Sequence, residues 1–168
     1  MKTRYMVSAL LVLSTVGSAA PNTQAAEKNK PGKHWLHEAD NDTERFTRLE
    51  TYLRGFDQPM WEVGHRYEIV HEAIIDKNYE LAAYHWKKIK TTIKNGYLKR
   101  PARKSSADSM FLNSGVWGSL DEALQGSEHK KIKTAFGVAR KTCMACHVVE
   151  KVPFMNEQKL FRQTSTFP

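Results

Sequence analysis

From residue 42 onward the apolar residues recur every third or fourth position, a spacing that predicts helices. Asp42-Thr-Glu-Arg opens the first stretch, in which Phe46, Leu49, Leu53 and Phe56 share one face. Gly55 and Pro59 end it, giving an expected helix over 42–55. A second, over about 59–76, aligns Met60, Gly64, Tyr67, His71 and Ile74, with Val63 and Val70 beside them and Pro59 suited to its first turn. Asn78 is the expected N-cap of a third, over 79–95, which carries Ala82, Trp86, Ile89 and Ile93 and is expected to stop at Asn95-Gly96. After a basic connector, a fourth over 107–125 turns Met110, Trp117, Leu120 and Leu124 inward, with Gly126 behind it. Ser127 is the expected cap of a fifth, over 128–151, whose stripe is Ile132, Phe136, Ala139, Cys143 and Cys146 and which Pro153 closes. No stretch sustains the alternation that a strand needs. The expected fold is therefore all-α: an antiparallel up-down-up-down four-helix bundle with an additional N-terminal helix.

The first 26 residues follow a different pattern. Lys2 and Arg4 precede an apolar run from Met6 to Leu13, and small residues follow up to Ala26. This reads as a secretory signal peptide over 1–26, cut after Ala25 or Ala26, because the run falls short of the roughly 20 apolar residues of a membrane span. Export to the periplasm is expected, with no membrane span left after cleavage. Residues 27–41 are a polar, flexible arm, and 42–168 a single domain, as the length of 168 residues suggests. Losing Lys2 and Arg4 leaves 24 basic residues against 18 acidic ones, so the exported chain stays basic. That balance favours acidic redox partners or an anionic surface, although the positive charges are interleaved with Glu and Asp rather than massed, and export argues against a nucleic-acid partner. The densest basic stretch is Lys87, Lys88, Lys90 and Lys94 with Lys99, Arg100, Arg103 and Lys104, a solvated face or a docking patch for an acidic protein.

The chemistry is concentrated in Cys143-Met144-Ala145-Cys146-His147. The two cysteines are the chain's whole complement, and a bridge between residues three apart would close almost no loop. C-x-x-C-H is the attachment signature of a c-type haem: two thiols add across the vinyl groups, and the adjoining imidazole becomes the proximal iron ligand. Cysteines three apart in a helix lie on one turn, so both sulfurs reach one edge of the macrocycle. A thioredoxin-like pair would be expected in a βαβ setting and a zinc site would need a further ligand at suitable spacing, and neither context is present. One covalently attached haem c per chain is expected, near the end of the last helix, with Cys143 and Cys146 as thioethers and His147 on the iron.

Only residues 148–168 follow His147, so the opposite ligand must come mainly from upstream. A helical bundle with C-x-x-C-H on its last helix resembles the class II c-type cytochromes, the cytochrome c′ family and its low-spin, methionine-ligated relatives. The resemblance covers about Pro59 to Lys151 and its specific motif is the haem signature alone. The tail after His147 is longer than that family's usual end, and the helix before Pro59 is extra. In an up-down-up-down bundle the end of the last helix lies beside the start of the first, which makes Met60 the first candidate for the distal ligand. Gly64, one turn on, would let a porphyrin approach the backbone, and the methionine-ligated relatives likewise take their ligand from early in the first bundle helix. His65 and an open, five-coordinate iron are the alternatives.

Tyr67, Trp86, Trp117 and Phe136 fall at core spacing and are candidates to line an apolar crevice. His71 and His85 are expected at interfaces or partly exposed, His34 and His37 in solvent, and Arg140 and Lys141 are candidate partners for haem propionates. The expected function is single-electron transfer between periplasmic redox partners by a non-enzymatic carrier. The alternative is a five-coordinate haem protein binding a small gas such as NO or CO. The helices 59–76 and 79–95 are the candidate faces for a homodimer.

Overall fold

The structure, a computed structural model, describes residues 34–168. The signal peptide over 1–26 and residues 27–33 of the arm lie outside the described residues. The chain divides into two units, 1–45 and 46–168. In the described part of the first, a turn at His34–His37 leads into α1 (Asp42–Leu53). Asn41 caps α1 by accepting the Glu44 N–H at 2.9 Å, and the Glu44 carboxylate reaches back to the Asp40 N–H, the reciprocal arrangement that satisfies free donors at a helix start. Arg45 holds this turn through Asp42 and the Leu36 carbonyl. The face that Phe46, Leu49 and Leu53 share on α1 is not a buried one. None of its residues is buried, and Phe46 and Leu53 are 63% and 45% exposed.

The second unit is entirely helical. Its long elements are α2 (Asp57–Ile75), α3 (Tyr79–Lys99), α5 (Val116–Gly126) and α6 (His129–Val149), with two short helices, α4 (Lys104–Ala107) and α7 (Lys159–Gln163). Two helix ends share one device. Lys77 and Lys151 take left-handed φ values of 57° and 63°, and the next residue donates back into the last turn, Asn78 to the Ala73 carbonyl and Val152 to the His147 carbonyl, both at 2.8 Å. This closes the free carbonyls and reverses the chain. Asn78 then caps α3 by accepting the Leu81 N–H, as expected.

Side-chain pairs fix the packing. Glu62 with Thr92 and Arg66 with His85 run α2 antiparallel to α3. Tyr67 and His71 meet Phe136, setting α2 against α6, while α5 packs on both α3 and α6. Between them Val70, Ile74, Trp86, Ile89, Leu120, Ile132 and Phe136 are fully buried. At about 25 cal/mol per Å² of apolar surface, each such side chain contributes about 1.5–3 kcal/mol.

Three local expectations are corrected. The helix expected over 107–125 is two pieces: a wide π turn at Asp108–Leu112 ends at Asn113-Ser114-Gly115, and α5 starts afterwards. Gly115 has φ of +86°, the left-handed region that glycine enters without a Cβ clash, so the break is written in that residue. Gly96 does not stop α3. It is buried in the last turn because a Cβ there would lie 2.8 Å from the Phe56 ring, so glycine allows the start of α2 to close on the end of α3. Ser127 does not cap α6; it is left-handed and ends α5, and Glu128 precedes α6.

Beyond α6 the chain folds back. A 3₁₀ turn at Pro153–Glu157 and α7 carry it along α2 and α6, where Leu160 covers Gly64 and Phe167 packs on His71 and Phe136. Arg140 donates to the Phe161 carbonyl at 3.0 and 2.5 Å, and His71 Nε2–H donates to the Thr166 carbonyl at 3.2 Å.

Candidate functional site

Cys143, Cys146 and His147 occupy the last turns of α6, with both thiols unbridged. They stand there because the stripe Ile132, Phe136, Ala139 continues into Cys143, which packs against the core at the end where α6 meets α2. Burial pushes the Cys143 thiol up to about 12, and the neighbouring Cys146 adds to the shift. Cys146 is raised by burial too, and the positive charge of Arg103 pulls it back. Arg103 is itself held by an ion pair with Glu150, so the connector before α4 is fastened to the end of α6. Both sulfurs are therefore neutral thiols at pH 7 rather than poised nucleophiles.

The His147 ring is held from the tail. Its Nδ1 lies 2.8 Å from Asn156 Oδ1, and the Asn156 amide nitrogen donates to the Met144 carbonyl at 3.0 Å. An amide oxygen can only accept, so Nδ1 carries the proton and Nε2 presents a lone pair. Nε2 has no hydrogen-bond partner among the described residues. This is the arrangement of a metal-ligating imidazole, whose other ring N–H is normally given to a carbonyl or carboxylate. The edge of His147 also meets Phe161, with ring centroids 5.5 Å apart at 82°.

Across from Cys143 stands Tyr67, stacked on Phe136 at 4.6 Å, with its hydroxyl buried beside Thr164. Burial first and the neighbouring Cys143 second raise its pKa well above the ordinary tyrosine range. One turn toward the start of α2 is Gly64 and one turn further Met60, half-buried against the core. His65 points elsewhere: its ring is exposed, stacked on Trp61, and close enough to His85 of α3 to affect its charge. His85 is lowered by burial and then by Arg66, whose guanidinium lies 3.2 Å from its Nδ1.

No family model, curated protein or solved structure matches this chain. What it can do has to be read from its own residues.

Among the described residues no three His, Cys, Asp or Glu side chains converge on a point where a bare metal ion would be held. His34 and His37 stay exposed, their rings edge to face. No described helix is long and apolar enough to cross a membrane. His71 lies at an interface, the first of the two expected settings, and is buried there: Phe136 and Phe167 enclose its ring and its Nε2–H is bonded. Arg140 is committed to the Phe161 carbonyl, while Lys141 is exposed. Part of the basic stretch is engaged as well: Lys90 lies 4.0 Å over the Trp117 ring, and Lys104 pairs with Asp108. Sequence reasoning missed Asn156 and Phe161. Pro153 signals the end of α6, but nothing in the spacing announces that residues nine and fourteen positions beyond His147 return to its ring.

Proposed function

We propose that this protein is an exported monohaem c-type cytochrome that carries single electrons, a four-helix bundle of α2, α3, α5 and α6 of the class II kind. The observation that carries the reading is the hydrogen bond from His147 Nδ1 to Asn156, which leaves Nε2 as a lone-pair donor beside two neutral thiols of a C-x-x-C-H sequence. The residues present fit a haem. Cys143 and Cys146 would hold it by thioethers, His147 would ligate the iron, and Met60 is the candidate on the opposite side. The buried Tyr67 hydroxyl, beside Thr164, is a polar atom that a bound group could engage.

Bound haem supplies a one-electron iron couple. The chain's own part is to fix and shield it. His147 is held in one tautomer and orientation, so little would have to rearrange when charge changes. Tyr67, Phe136 and Phe161 are buried and exclude water from this end of the bundle, which favours the less charged form of any redox group among them. The lysines of α3 left exposed, Lys87, Lys88 and Lys94, offer a positive face to an acidic redox partner.

Optical spectra of the purified protein, oxidised and reduced, with and without carbon monoxide, test the reading together with Met60→Ala. The expected result is a low-spin spectrum with a sulfur-to-iron charge-transfer band, unmoved by carbon monoxide and lost in Met60→Ala. A high-spin spectrum that shifts with carbon monoxide would replace the electron carrier by the gas-binding reading.

A further inference from the structure

We infer that Asn156, in the tail beyond α6, is the positioning residue of His147: its side-chain amide selects the imidazole tautomer and sets how strongly that ring donates. This rests on the proposal that His147 ligates a haem iron.

The geometry leaves the amide one orientation. Its nitrogen donates to the Met144 carbonyl at 3.0 Å and its oxygen faces His147 Nδ1 at 2.8 Å. Turned over, the amide would set oxygen against a carbonyl oxygen and lose the first bond, so the network itself assigns oxygen to the histidine side. The clasp spans the signature, joining the backbone of Met144 to the ring of His147.

Asn156 comes from outside the helix, and the chain between is braced. Lys151 takes the left-handed turn, Val152 N–H returns to the His147 carbonyl at 2.8 Å, and Met155 N–H to the Val152 carbonyl at 3.0 Å. Phe161 closes on the ring edge and is anchored by Arg140 through its carbonyl. The tail thereby has a definite task at this site. A neutral amide as acceptor polarises the Nδ1–H less than a carboxylate would, so the residue type at 156 tunes the ligand.

The test compares Asn156→Ala and Asn156→Asp with the parent, all purified from a host that attaches haem and assayed first for covalent haem. With haem present, the midpoint potential should move in opposite directions, upward in Asn156→Ala and downward in Asn156→Asp, and with Met60→Ala added to each to open the iron, the ferrous iron–histidine stretch in resonance Raman should fall in the first and rise in the second. Shifts of both variants in the same direction, or none, would overturn the assignment, because loss of packing alone would move both alike. If the protein carries no covalent haem, the cytochrome reading fails, and ¹⁵N NMR of His147 in that same protein decides the inference separately. It should show the Nδ1–H tautomer in the parent, with the tautomer ratio falling about fivefold in Asn156→Ala, the change that one ordinary hydrogen bond sets. An Nε2–H parent would sink it.

Discussion

Single residues carry two consequences that are readable without any cofactor. Gly96 faces the Phe56 ring so closely that an added Cβ would sit 2.8 and 2.9 Å from its carbons. Alanine normally improves a helix interior by about 1 kcal/mol over glycine. Gly96→Ala should instead destabilise by about 1–3 kcal/mol, the ordinary cost of overpacking, whereas Gly137→Ala, with open space at its Cβ, should stabilise, both measured by urea unfolding. The second consequence concerns pH. Cys143 is raised from its ordinary value of 9.0 to about 12, so in the folded chain it keeps a proton that the unfolded chain releases. Its contribution is fully present below pH 9 and is lost as pH rises toward 12, with a slope of up to about 1.4 kcal/mol per pH unit. Tyr67, shifted the same way, extends the loss above pH 10. Chain made without haem should therefore lose stability from about pH 9 upward, and Cys143→Ala should flatten the first part of that decline. A parent whose stability is level up to pH 11 would contradict the placement of Cys143. At this scale the sequence was informative where chemistry is local: the C-x-x-C-H run names its own residues. It was silent on Asn156, because a contact made by a chain reversal has no periodicity to betray it.

Among the elements, the long helices were legible because the stripes of α2, α3 and α6 repeat at 3.6 residues and end in the turns that close them. The break before α5 was not, since Trp117, Leu120 and Leu124 keep helical spacing with Met110 across it, and periodicity does not register a φ of +86° at Gly115. Gly115→Ala should cost about 1–2 kcal/mol in the thermal midpoint of unfolding, as expected for a side chain forced into the left-handed region, although no atom stands near its Cβ. The break matters for packing because it starts α5 where Trp117 can meet Trp86. The Trp86 indole N–H donates to the Trp117 carbonyl at 2.9 Å, the Trp117 indole to the Trp86 carbonyl at 3.3 Å, and the rings lie parallel. Trp86→Ala, which removes a fully buried ring and one of these bonds, should destabilise by about 3–5 kcal/mol. The stripe of α1 shows the opposite lesson. Its spacing is as helical as that of α2, and it does form a helix, yet its large residues remain exposed, because an amphipathic pattern says that a face can be buried and not that anything covers it.

For the molecule as a whole, the all-helical class followed from spacing, and the motif lies in the last turns of α6. The tail is what the sequence underdetermined: it covers Gly64, boxes His147 and seals the aromatic cluster, so the surroundings of the motif are built partly by residues beyond α6. The central claim is that Cys143 and Cys146 hold a haem covalently with His147 as its ligand. Intact-mass spectrometry of the denatured protein from a haem-attaching host tests it most directly, beside Cys143→Ser, Cys146→Ser and the double variant. The account predicts one haem retained through denaturation by the parent and none by the double variant. A parent that keeps no haem under those conditions, while still folding with both thiols free, would contradict it.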